Sequence, residues 1–340
     1  MNSSTFDQFQ GIWLGSIIGQ ALASQKSCGE QTKIINFPAQ TWLDERQKVA
    51  QILLNTENLP AKDLGQRLLR RKTTEPALTV GQNYSLREII SQNRVKTIKT
   101  VEHGSILLSL LSLMIFYGND LNLFSKIIGE YNLKSANSRE NAEMRTGILI
   151  WSCLLTRVLN NKFQPEINVK PIIRRTIDIV KVSETLLTKM LEIAIEAAQS
   201  GISLHQLVEE LSSGGSDWQK AIALSWYCFT TTPHDFRLSI QRAASLEPNI
   251  AWLTAALTGT VSGAYNGIAV IPWRWRAIAN QNSIYRLESQ TARQLFESWL
   301  GIYSLNSHPL FDHQLGAVAS PQIIQPRKAL KIISQTSFGD

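Results

Sequence analysis

The sequence predicts a single large all-α domain, and three observations carry that expectation. Apolar residues recur at three- and four-residue spacing along most of the chain. Runs that alternate polar and apolar residues are scarce, which leaves little to build a sheet from. Hydrophobic residues make up 44% of the 340 residues and charged ones 18%, enough apolar matter for one large core. The length alone would suggest two ordinary domains. No low-complexity linker divides the chain, however, and no repeat register of about 34 or 40 residues runs through it.

Taken in order, the first helix is expected over Phe9–Ala23, with Gly11, Gly15 and Gly19 four apart on one face. A second follows over Asp44–Asn55, whose acidic first turn suits the helix dipole. Helices are then expected over Ala61–Arg70 and Ser85–Ser91. The most apolar run, Ile106–Tyr117, lies within a helix over Gly104–Tyr117. It is too short for the roughly 18–20 residues of a membrane span and reads as buried. Leu121–Tyr131, Ala142–Leu159 and Ile172–Val180 come next. Over Ser183–Gln199, Leu186, Leu187, Met190, Leu191, Ala194, Ala197 and Ala198 hold the helical period, and Gly201 follows as a C-cap. Ser203 opens the next helix, with Gln206 completing a capping box. Trp218–Phe229, Pro233–Ala244, Trp252–Asn266 and Ser289–Tyr303 end the series. In Trp252–Asn266 and just past it, Gly259, Gly263 and Gly267 are again four apart. Each glycine costs a helix roughly 1 kcal/mol against alanine, so three of them call for close packing. Loops are expected at Gln25–Gln40, Lys72–Tyr84, Asn160–Pro171 and Asn306–Arg327.

Composition narrows the class. Cys28, Cys153 and Cys228 are far apart and form no CxxC pair, as in a reduced intracellular chain without a cysteine-built zinc site. The opening MNSSTFDQFQ has no basic-then-apolar signal pattern, so a soluble, cytoplasmic protein without a membrane partner is expected. The net charge is +7, and Gln66–Thr100 holds eight basic residues against Glu75 and Glu88. That stretch reads as a solvated basic face. An anion site for a phosphate or an acidic partner is the alternative. Tyr84 is its only aromatic residue, which argues against base stacking and so against nucleic acid. The five histidines (His103, His205, His234, His308, His313) show neither HxH nor HExxH spacing. Trp273 and Trp275, interleaved with Arg274 and Arg276, have the composition of an interface hot spot, although Trp275 also suits packing on the bundle.

Two segments at opposite ends carry a resemblance. Phe9-Gln-Gly-Ile-Trp-Leu-Gly-Ser-Ile-Ile-Gly-Gln-Ala-Leu-Ala23 and Ala256-Leu-Thr-Gly-Thr-Val-Ser-Gly-Ala-Tyr-Asn-Gly-Ile-Ala-Val-Ile-Pro-Trp-Arg-Trp275 resemble the opening and closing motifs of the ADP-ribosylglycohydrolase family. With Trp218–Ala244 included, the similarity covers Phe9 to about Tyr303. The resemblance implies a domain over 1–305, a single helical bundle of that type, and a C-terminal extension over 306–340. It also implies a two-magnesium site for hydrolysing a glycosidic bond to ADP-ribose. Two ions bridged by carboxylates activate a water and clamp the substrate, and magnesium demands oxygen ligands.

The motif residues depart from that pattern. Aligned on Gly259 and Gly263, Ile250 and Trp252 stand where the family's two closing aspartates belong, and Leu253 where its threonine belongs. Pro248 and Asn249 replace the preceding glycines, and Gln20 replaces the aspartate of the opening helix. Leu43-Asp44-Glu45-Arg46-Gln47 aligns with the early T-D-D-T-Q motif. It keeps two carboxylates, which are the catalytic candidates, and places a guanidinium that repels a dication at short range. The central family landmarks fall at Gly104–Leu108, which has no arginine, and near Ser135–Ala136, which has no histidine.

Two expectations from different classes follow. In the first, the chain is a pseudoenzyme, a binding or regulatory module whose scaffold survives while its metal ligands are gone. It needs no cofactor, and it takes an ADP-ribose-like nucleotide or a protein partner. Gln20, Arg46 and Asn249 are then the ligand-contacting candidates. In the second, it is an active hydrolase removing ADP-ribose from protein side chains with an altered site. There, Asp44 and Glu45 hold at most one weakly bound Mg²⁺.

Overall fold

The computed structural model describes residues 5–27, 41–55, 103–130, 138–160 and 185–299. The chain divides into two compact units, 1–295 and 296–340. Of the second, only residues 296–299, the end of a helix that begins at Ser283, fall within the described residues. Every element among the described residues is helical, with no strand. The helices expected at Ala61–Arg70, Ser85–Ser91 and Ile172–Val180, the basic stretch and the boundary at 305 lie outside the described residues.

Two helices form the centre. Helix α1 (Thr5–Ser27) is buried on every side from Gly11 to Ala21. Near the far end of the sequence, a second central helix, Pro248–Asn266, is buried without a break from Leu253 to Ala264. Helices polar on one face sit at a surface, whereas helices enclosed all round belong inside a larger bundle. The two run antiparallel and meet through the glycines that the sequence spaces by four. A Cβ built on Gly11 would fall on the carbonyl oxygen of Gly263, and one on Gly15 on that of Gly259. The seam is reciprocal, since a Cβ on Gly259 or Gly263 would strike the carbonyl of Gly15 or Gly11. Gly19 meets Ala255 in the same way. Gly267, the third residue of the closing stripe, acts differently. It leaves the helix at φ 76°, and its N–H caps the carbonyl of Gly263 at 2.8 Å.

The other helices wrap this pair. They are α2 (Thr41–Asn55), α3 (His103–Ser109), α4 (Leu111–Tyr117), α5 (Leu121–Glu130) and α6 (Ser138–Leu159), then α7 (Leu186–Ser200), α8 (Leu204–Ser212), α9 (Asp217–Thr231) and α10 (Phe236–Ala243). The central Pro248–Asn266 is α11, followed by a 3-10 turn at Ile268–Val270, α12 (Trp273–Gln281) and α13 (Ser283–Trp299). Helices α9 and α10 pack on α11, α7 on α9, and α2 against α3 and α4. No helix among the described residues is long and apolar enough to cross a membrane.

Local chemistry explains where the boundaries differ from expectation. The run from Gly104 to Tyr117 is split at Leu110 (φ −87°, ψ 6°). Its hydrogen bonds continue, from Leu110 N–H to Ile106 O and from Met114 N–H to Leu110 O, both at 3.0 Å. Ser109 Oγ donates back to Ser105 O at 2.6 Å, a bond that bends helices. Helix α10 starts at Phe236 rather than Pro233, because the Asp235 carboxylate accepts the Leu238 N–H at 2.9 Å. Helix α11 starts at Pro248, where a missing N–H costs nothing. Pro272 precedes α12, a helix that periodicity did not announce. Helix α1 runs to Ser27, into the loop expected from Gln25, and α13 begins at Ser283 instead of Ser289. The expected caps are present. Gly201 sits at φ 70° behind α7, and Ser203 and Gln206 form their box.

Candidate functional site

The early acidic motif opens α2, and its side chains part company there. Asp44 is exposed to solvent, while Leu43 and Arg46 turn inward. The Glu45 side chain lies outside the described residues. Arg46 has no exposed surface, and its Nη2 pairs with Glu288 Oε2 on α13 at 2.5 Å. Its Nη1 donates to Ser16 Oγ on α1 at 3.0 Å, and Ser16 in turn donates to Trp13 O at 2.8 Å. The guanidinium carbon lies 4.8 Å from the ring centroid of Trp42 and 5.7 Å from that of Trp13. An indole face attracts a cation through its quadrupole, most strongly where water is excluded. Burial pulls the Arg46 pKa below its ordinary value, and the charge and hydrogen bond of Glu288 oppose that pull.

The network extends on both sides. Gln47 Nε2 donates to Glu288 Oε1 at 2.7 Å, and Thr291 Oγ1 donates to Gln47 Oε1 at 2.8 Å. Gln20, on α1, accepts the Trp42 indole N–H at 2.6 Å. Gln20 and Arg46, both candidates for contact with a ligand, are therefore engaged in tying α1, α2 and α13 together. Asn249 lies apart from them, exposed in the first turn of α11, with Nδ2 3.4 Å from Asp217 Oδ2.

The closing motif packs rather than reaches out. Ile250 and Leu253 are buried, and Trp252 is half-buried. A Cβ on Gly104, in the first turn of α3, would meet Trp252 Cη2 at 3.1 Å, Trp252 Cζ2 at 3.2 Å and Leu253 Cδ2 at 2.5 Å. Gly104 is thus the flat surface on which these two side chains lie. Among the described residues, no group of three or more His, Cys, Asp or Glu could hold a metal ion. His205 is exposed and 3.5 Å from Glu209, and the His234 ring lies tilted against that of Tyr265, with centroids 5.4 Å apart.

The glycine seam and the helical order around it agree with a comparison against family models, in which the model for ADP-ribosylglycohydrolase matches residues 1–301. The chain belongs to the ADP-ribosylglycohydrolase family. No curated protein matches it. Within this ADP-ribosylglycohydrolase fold, the residues that sequence reasoning missed are Glu288, Thr291, Trp13 and Trp42. One signal was available for Glu288. Tyr285, Glu288, Ala292 and Leu295 form a three-and-four stripe, and a carboxylate on an otherwise apolar stripe requires a buried cation.

Proposed function

We propose that this member of the ADP-ribosylglycohydrolase family is a cytoplasmic binding or regulatory module that has lost dinuclear magnesium catalysis. The observation that carries the reading is the packing of Trp252 and Leu253 on Gly104, beside buried Ile250, at the positions of the family's closing ligands. These side chains offer a hard cation no oxygen. Across the fold, the early motif contributes a buried guanidinium already neutralised by Glu288. This donor set does not fit a pair of magnesium ions. Apolar replacement is also what the loss of metal favours, because carboxylates left buried without a cation cost several kcal/mol.

Of the two ligand classes, a protein partner is the better supported. Binding a diphosphate calls for a free guanidinium or similar donor, and Arg46 is enclosed and paired. Gln20 is likewise spent on Trp42. The wide spacing of the cysteines supports a reducing compartment.

The test is release of ADP-ribose from modified arginine and serine peptides across a Mg²⁺ and Mn²⁺ titration. Negligible release is expected at every metal concentration. Trp252→Asp is expected to lower stability by about 2–4 kcal/mol, through lost packing and an unpaired carboxylate, without gaining turnover. Robust release that disappears in the Asp44→Asn, Glu45→Gln double variant would establish an active hydrolase with an altered site instead.

A further inference from the structure

Trp273 is 68% exposed, the highest value among the exposed large hydrophobic residues of the described chain. Val270, three positions earlier at the end of the 3-10 turn, is 44% exposed. Both stand at the junction where the chain leaves the central helix and enters α12. The guanidinium carbon of exposed Arg274 lies 5.6 Å from the Trp273 ring centroid. One tryptophan therefore presents apolar area together with a fixed positive charge, the pairing that dominates interface energetics. Trp275, the second tryptophan of the segment, is half-buried, so Trp273 stands alone as the projecting ring.

The charge of the segment itself has one sign. From Gly267 to Leu287 the chain carries Arg274, Arg276 and Arg286 and no aspartate or glutamate. The next acidic residue, Glu288, is fully buried and committed to Arg46. The segment itself therefore brings Arg274 no accessible carboxylate, and a complementary charge has to come from outside the segment. A single-stranded nucleic acid would need successive open aromatic faces. Here a single indole projects, with a guanidinium already over its ring.

We infer that Val270, Trp273 and Arg274 form a docking surface for an acidic segment of a partner protein that carries an apolar side chain. The apolar side chain packs on Val270 and the indole, and the carboxylates pair with Arg274 and its neighbours. The surface uses none of the residues at the family's metal positions, so it stands whether or not the chain hydrolyses ADP-ribose.

The experiment is fluorescence anisotropy of the full chain with a labelled short peptide alternating Glu or Asp with Leu. A glutamine-for-acid version of the peptide and a single-stranded oligonucleotide serve as comparisons. The acidic peptide is expected to bind, and the glutamine version at least about tenfold more weakly. Trp273→Ala should weaken binding about thirtyfold, the scale of a hot-spot truncation, and Arg274→Glu should abolish it. Leu186→Ala, at another exposed apolar site (40%), should leave it unchanged. All these positions are exposed, so circular dichroism should report folded variants. No binding of the acidic peptide, equal binding of the glutamine peptide, insensitivity to Trp273→Ala, or preference for the oligonucleotide would each overturn the assignment.

Discussion

Gly259→Ala is expected to destabilise the protein by about 4 kcal/mol or more, although alanine is the better helix former. The added methyl would fall on the backbone carbonyl of Gly15, not on a side chain able to rotate away. Relief requires α1 and α11 to separate, and both are enclosed on all sides, so neighbouring helices must move as well. Losses of this size are confined to a few mechanisms, overpacked backbone contact among them. The drop in melting temperature should be on the order of 10 °C.

The same substitution elsewhere should behave differently, which makes the prediction specific. Gly129, in the last turn of α5, has nothing within 4 Å of a built Cβ. Gly129→Ala should stabilise by about 0.4–1 kcal/mol. Gly201 also has open space around it but sits at φ 70°. Gly201→Ala should cost about 1–2 kcal/mol from backbone strain alone. Urea denaturation of the three variants would read all three effects. Equal effects at Gly259 and Gly129 would mean that the seam is not close-packed.

Glu288→Ala is expected to cost about 3–5 kcal/mol, because it leaves the Arg46 guanidinium buried without its counter-ion. Gln47 Nε2 would lose its acceptor in the same step. Arg46→Met should be damaging for the converse reason. The double variant Arg46→Met, Glu288→Leu should be more stable than either single variant, since an apolar pair of similar size replaces a buried ion pair at little cost. Additive losses in denaturation would show instead that each residue acts through separate contacts.

The central seam was readable in the sequence, since glycines four apart in both terminal motifs have few uses other than close helix contact. The caps at Gly201, Ser203 and Gln206 were readable because they depend on residues within one turn. Helix α12 was not, since its nine residues carry two tryptophans and two arginines and bury only Ala279 throughout. The site was legible in part. That Ile250, Trp252 and Leu253 offer no side-chain oxygen was evident from residue type. The use of Arg46 was not, because its partner Glu288 lies 242 positions away and no local pattern joins them. From sequence alone the guanidinium reads as a ligand contact; the fold supplies Glu288 as its counter-ion.

The central claim is that the family's metal positions hold packing side chains instead of ions. The most direct measurement is anomalous scattering from crystals soaked in Mn²⁺, a dication with the same preference for oxygen ligands as magnesium. The account predicts at most one weak peak, beside Asp44 and Glu45, and none against Ile250 and Trp252. Two strong peaks about 3.5–4 Å apart, the usual separation in two-metal sites, would contradict it.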